Sequence, residues 1–214
     1  MNAISSTEAP ARRGARTPLG PVDKIEARRQ ELGAAALRTL AERGYANTSL
    51  REIAQNSEYS HGVLHYYFAD KTELIIYCVR VYKTRCVRHY DSVDDATSAE
   101  DLSERFLAAL LRTLREDSHE QRLWYDMRAQ SLFEPAFRAD VAEIDGVLRD
   151  MVWRILSRYA DLSDGELTVD ADTAYALFDG LFSHAVQEEL AGESDAGERL
   201  ADQVRMLMPR LVRS

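Results

Sequence analysis

Cysteine and proline are scarce in this 214-residue chain, at two and five copies. No apolar run approaches the roughly 20 residues that span a bilayer, which excludes a transmembrane helix. The N-terminal stretch MNAISSTEAPARRGARTPLGP has no continuous apolar segment of the kind a secretory signal requires, so a cytoplasmic location without membrane contact is expected. Cys78 and Cys86 lie on one expected helix with a Cα separation of ~12 Å, too far for an intramolecular disulfide. Both are expected to be buried or half-buried thiols. No nucleophile elbow, Gly-rich phosphate loop, zinc signature or coherent acid/base pair occurs, so neither an enzyme nor a cofactor or metal site is expected. His61 and His65 have the i, i+4 spacing of zinc ligands, but no third ligand accompanies them.

Basic residues are also outnumbered, 27 Lys and Arg against 36 Asp and Glu, for a net charge of −9. Evenly spread, that balance would argue against nucleic acid. Residues 1–90 hold 14 basic and 9 acidic residues (+5), whereas residues 91–214 hold 13 and 27 (−14). A basic head on an acidic body suits a protein that meets phosphates at one end only.

Within the basic half, residues 48–74 read TSLREIAQNSEYSHGVLHYYFADKTEL. Leu50, Ile53 and Ala54 put an apolar stripe on one short helix, and Leu64 and Phe68 put a second stripe on the next. Ser49 with Glu52, and Asp70 with Glu73, have capping-box spacing, and Ser60 can cap the middle helix. Two short helices over one small core form a helix-turn-helix, whose second helix enters the DNA major groove.

The same segment resembles the DNA-binding domain of the tetracycline-repressor (TetR) family. Thr48, Ser49, Ile53, Ala54, Ser60, Gly62, Leu64, Tyr67, Phe68, Lys71 and Leu74 occupy that family's signature places. At two places the chain departs: Glu58 stands where the turn has a left-handed glycine, predicting local backbone cost, and His65 stands where a tyrosine contacts phosphate. By the resemblance, His61 and Val63 are candidate base readers with Tyr66 beside them, and Gly62 allows close backbone approach. Thr48, Ser49, His65, Tyr67 and Lys71 are candidate phosphate contacts. Ser60 completes the expected DNA-binding set.

The expected fold is all-α. A disordered tail is expected over residues 1–20, and its Arg12, Arg13 and Arg16 have two readings, a plain solvated charge or an arm reaching DNA. Residues 21–69 form a three-helix DNA-binding domain, and 70–214 a helical ligand-binding and dimerisation domain. The first helix runs over 22–43 with Ile25, Leu32, Ala36, Leu37 and Leu40 inward, ended by Gly44. A connector over 71–90 buries Leu74, Ile75, Cys78, Val81 and Tyr82. Further helices are expected near 99–116, 119–132, 136–160, 168–191 and 195–213, with no strand.

The stretches WYDMRAQ (124–130) and VAEIDGVLRDMV (141–152) are similar to the body of the choline-responsive betaine regulator subgroup. The resemblance implies a cavity for an unidentified small-molecule effector. Its candidate lining is Trp124, Tyr125, Asp126, Met127, Phe133, Phe137, Trp153, Tyr175, Phe178 and Asp179. Either Asp126 or Asp179, beside aromatics, could face a cationic ligand. The last two helices are the candidate homodimer surface. The expected activity is regulated binding to a palindromic double-stranded operator, as a repressor.

Overall fold

The computed structural model describes residues 21–213 and is helical throughout apart from one two-residue strand pair. The N-terminal arm, with its three arginines, lies outside the described residues. Helix α1 (Pro21–Arg43) leads into α2 (Leu50–Gln55), α3 (His61–Tyr67) and α4 (Lys71–Arg88). Helices α5 (Ala99–Gln130), α6 (Arg138–Leu162), α7 (Ala171–Ala191) and α8 (Ala196–Leu207) follow.

The predicted caps explain where the short helices start. Ser49 and Glu52 close a full capping box on α2, and Ser60 accepts from the Val63 amide on α3. At α4, Asp70 accepts from the Glu73 amide, but Glu73 reaches back to the Ala69 amide, one residue short of a reciprocal box. Gly44 takes φ +75 and donates to the Leu40 carbonyl, terminating α1 where a side chain would be strained.

Several expectations are corrected. The two helices expected over 99–132 are one helix, with the anticipated break reduced to a kink at Asp117 (φ −125°, ψ 18°). The last helix stops at Leu207 because Pro209 cannot continue its hydrogen bonds. The chain then turns through Met208–Leu211 into a strand, Val212–Arg213, antiparallel to Glu166–Leu167. Gly165 allows that return, since a Cβ there would stand 2.9 Å from the Arg213 carbonyl oxygen. Ile25 and Val81, expected inward, are exposed. Glu58 keeps a negative φ, so the turn before α3 does not need the left-handed residue whose loss was expected to cost stability.

Two apolar cores result. One lies among α5–α8, centred on Phe106, Leu114, Ile155, Phe178 and Val204. The other gathers Leu32, Ile53, Leu64 and Leu74 of the N-terminal helices around Trp124, Met127 and Phe137 of the C-terminal ones. Trp124 of α5 is fully buried there; α5 packs on α1 and α4, and the short helices α2 and α3, too short to be stable alone, join the same core through α1 and each other. Trp124→Ala is expected to cost about 3–5 kcal/mol. Thermal unfolding followed by circular dichroism should show one transition at lower temperature; an unchanged midpoint would contradict a shared core.

Candidate functional site

The exposed face of the N-terminal unit is carried by α3. Its N-cap Ser60 is exposed, as are His61, Gly62, His65 and Tyr66, and Tyr66 projects with 79% of its surface accessible. The His61 and His65 rings meet edge to face, with centroids 4.4 Å apart. A Cβ on Gly62 would meet nothing closer than the Ser60 hydroxyl at 4.0 Å, so nothing within the fold demands a glycine there. Val63 and Tyr67 are half-buried and pack on the core below. Ser49 is exposed, and its hydroxyl followed by its amide hold the Glu52 carboxyl below the usual range, keeping the α2 cap charged.

Two predicted phosphate contacts are turned inward instead. Thr48 is buried and donates its hydroxyl to the Gly44 carbonyl at 2.8 Å. The Lys71 ammonium donates to the Tyr45 carbonyl at 2.9 Å and sits 3.9 Å from the centre of the Tyr45 ring. Partial burial lowers its pKa. Both residues brace the loop after α1.

That loop is also gripped from α5. Arg122 donates to the carbonyls of Ala41 and Glu42 at the end of α1, and Asp126 accepts from the Tyr45 amide at 2.6 Å. A Cβ on Gly44 would approach the Asp126 carboxylate to 3.2 Å. Asp126 therefore caps the N-terminal unit beside a cleft at the α1–α5 junction, away from the cavity lined by Tyr125 and Asp179. Trp124, Met127 and Phe137 are likewise in the shared core. Phe133, on the turn after α5, is exposed at 79%, and Trp153 packs at the edge of the C-terminal core. None of these six expected lining residues reaches the cavity that Tyr125 faces; for those on α5 the reason is helical geometry, since successive side chains diverge by about 100°. Trp124 therefore faces the N-terminal helices while Tyr125 faces the other way.

Tyr125, Tyr175, Phe178 and Asp179 do meet around a cavity among α4, α5, α6 and α7. The cavity volume there is about 60 Å³, well under the ~150 Å³ of a cavity that holds benzene, so a ligand larger than a few waters enters only as the walls give way. Tyr125 donates to Asp179 at 3.2 Å, Tyr175 donates to Asp145 at 2.6 Å, and Arg128 bridges both carboxylates. Asp179 thus has a protein cation and a phenol already in place.

The sequence reading missed Lys83 and Gln121, both in the wall and both buried. The Lys83 ammonium donates to the Gln121 side-chain oxygen at 2.6 Å and stands 5.0 Å from the Trp124 ring centre. Burial pushes it down to about 8, against the opposing pull of Cys86, Asp179 and Asp145. A lysine at an inward place of the α4 stripe, between Val79 and Cys86, was the legible signal.

Two family descriptions match the chain. Residues 32–78 match "Bacterial regulatory proteins, tetR family", and residues 99–209 match "BetI-type transcriptional repressor, C-terminal". HTH-type transcriptional regulator PksA of Bacillus subtilis is 29% identical over 186 residues, covering 82% of this chain and 86% of that protein. HTH-type transcriptional repressor AcnR of Corynebacterium glutamicum is 27% identical over 179 residues, covering 82% and 88%. A putative transcriptional regulator from Saccharomonospora viridis, solved in complex with choline, shares the fold. Its TM-score is 0.72 at 18% identity, covering 88% of this chain and all of that one.

The cysteines are free and buried. Burial pushes the Cys78 thiol up to about 12 and the Cys86 thiol up to about 11, so little thiolate exists at pH 8. Ellman's reagent should label the native protein on the order of 100-fold more slowly than the denatured chain; comparable rates would contradict this burial.

Proposed function

The chain belongs to the TetR family of bacterial transcriptional regulators, and on that premise we propose that it is a homodimeric repressor released from a palindromic operator by a small molecule. Residues 21–69 serve as the DNA-binding unit, and 70–214 as the effector and dimer unit. The observation that carries the effector part is the double role of one stretch of α5. Gln121 and Tyr125 line the cavity, while Arg122 and Asp126 hold the end of α1 and Trp124 is buried in the core that the N-terminal helices share. A ligand that moves this stretch must move the helix-turn-helix with it.

In the operator complex, α3 of each protomer lies in a major groove, and the two half-sites are roughly 34–36 Å apart or one further turn. His61 and Tyr66 reach base edges. Ser49, Ser60 and His65 meet phosphates, with Gly62 letting the backbone close in. Val63 and Tyr67 hold the helix at the right depth, and Thr48 and Lys71 position the loop behind it. The effector needs to favour one spacing of the heads over the other by about 1–3 kcal/mol, an ordinary coupling energy.

Dimerisation through α7 and α8 is supported by the surface of α7. Ala176, Leu177, Gly180 and His184 are exposed on one face at i, i+3 and i+4 spacing, and nothing within the protomer approaches the position of a Gly180 Cβ. An exposed face with Gly180 at its centre and Leu177 beside it gives two helices of a twofold pair both room to approach and an apolar side chain to bury.

DNA polarisation and sedimentation test the reading. His61→Ala should relax sequence preference, lowering discrimination between operator and non-operator by about tenfold. Lys71→Ala should weaken every duplex alike with the salt slope unchanged, because its ammonium is engaged on Tyr45; a slope reduced by about one would mean it meets phosphate instead. Leu177→Glu should yield monomers and lower operator affinity at least about tenfold. A dimer of unchanged stability would exclude α7 from the interface.

A further inference from the structure

The cavity network satisfies its acids and leaves one base over. Asp145 and Asp179 are held by Arg128 and by the Tyr175 and Tyr125 hydroxyls. Among the described residues Lys83 forms no salt bridge; its single hydrogen bond goes to the neutral Gln121, although it is only 6% exposed. An ammonium has three N–H donors, and a buried charge without a counter-ion is costly. Thr113, 2% exposed in the same wall, has a hydroxyl without a hydrogen-bond partner. The remaining surface near them is apolar, formed by Phe106, Leu110, Met151 and Phe178. A second cleft, between α4 and α6, shares Lys83 and Leu148 with the cavity and reaches the exposed Val147, which offers a route from solvent to the ammonium.

We propose that the effector is a compact amphipathic carboxylate, its anionic group paired with the Lys83 ammonium and its apolar body set against Phe106, Met151 and Phe178. The Thr113 hydroxyl supplies a further donor. The inference rests on the cavity being the effector site. It also predicts exclusion: a quaternary ammonium would meet Lys83 as a like charge, while the aspartate best placed to receive it is already paired with Arg128. A neutral molecule of the same shape fills the apolar part but leaves the ammonium without a counter-charge.

Calorimetric titration of the full-length protein with hexanoate, benzoate, hexanamide, benzamide and choline tests this. Each carboxylate is expected to bind at least about tenfold more tightly than its amide, and choline not to bind. Lys83→Met, which removes an unpaired buried charge, should fold with an equal or higher melting temperature. In that variant the preference for carboxylate over amide should fall to about one. Lys83→Gln, closer in polarity, should do the same. Equal binding of acid and amide by the wild type, binding of choline, a carboxylate preference surviving in both variants, or no binding by any probe would each overturn the proposal. Operator release, followed by polarisation, separates this from the premise beneath it. Carboxylate binding through Lys83 without release would end the effector reading and leave the anion site standing. Release by choline or an amide would do the reverse.

Discussion

The structure depends on the grip that α5 keeps on the end of α1. Arg122 holds two carbonyls in the last turn of α1 and Asp126 the Tyr45 amide just beyond it, while Trp124 between them is buried in the core of the N-terminal helices. Hydrogen bonds to charged groups contribute about 1.5–3 kcal/mol each, and a buried aromatic adds a comparable amount. Gly44 makes the grip possible, because its left-handed backbone leaves space where the Asp126 carboxylate approaches. The N-terminal unit is thus fastened to the rest of the chain through both its core and its polar surface.

This fastening makes helices of six and seven residues useful. Segments α2 and α3 are below the length at which isolated helices persist in water, so their orientation comes from what they pack on. The Ser49–Glu52 box and the Ser60 cap set where they begin, whereas the core that Leu50, Ile53, Leu64 and Phe68 share with α1 and α4 sets how they lie. A recognition helix held in this way responds as a body when its support moves.

The other side of the same turn of α5 faces a cavity with an uneven electrostatic arrangement. Arg128 closes a network with two aspartates and two tyrosines, which rigidifies α5 against α6 and α7. Lys83, coming from α4, stands outside that network. Because α4 begins at the N-terminal unit and ends at the cavity, a counter-charge arriving at Lys83 acts on a helix that both regions share.

The chain order alone determined the helical class, the caps at Ser49, Ser60 and Asp70, the stop at Gly44 and the outward places of His61, Gly62, His65 and Tyr66 on α3, but not the half-buried places of Val63 and Tyr67. These are local properties, governed by spacing along the chain and by backbone hydrogen bonding within a few residues. Family resemblance extended them to a regulator with a helical body. Only the tertiary structure decided which aromatics face the cavity, since adjacent residues such as Trp124 and Tyr125 differ by about 100° around the helix and no periodic pattern says which neighbour each will meet. It also turned Lys71 and Thr48 inward, assigned Asp126 to a backbone amide 81 residues away, and revealed Lys83 as a buried cation without a salt bridge among the described residues. Those roles depend on partners distant in sequence, and pairing of that kind is settled by packing.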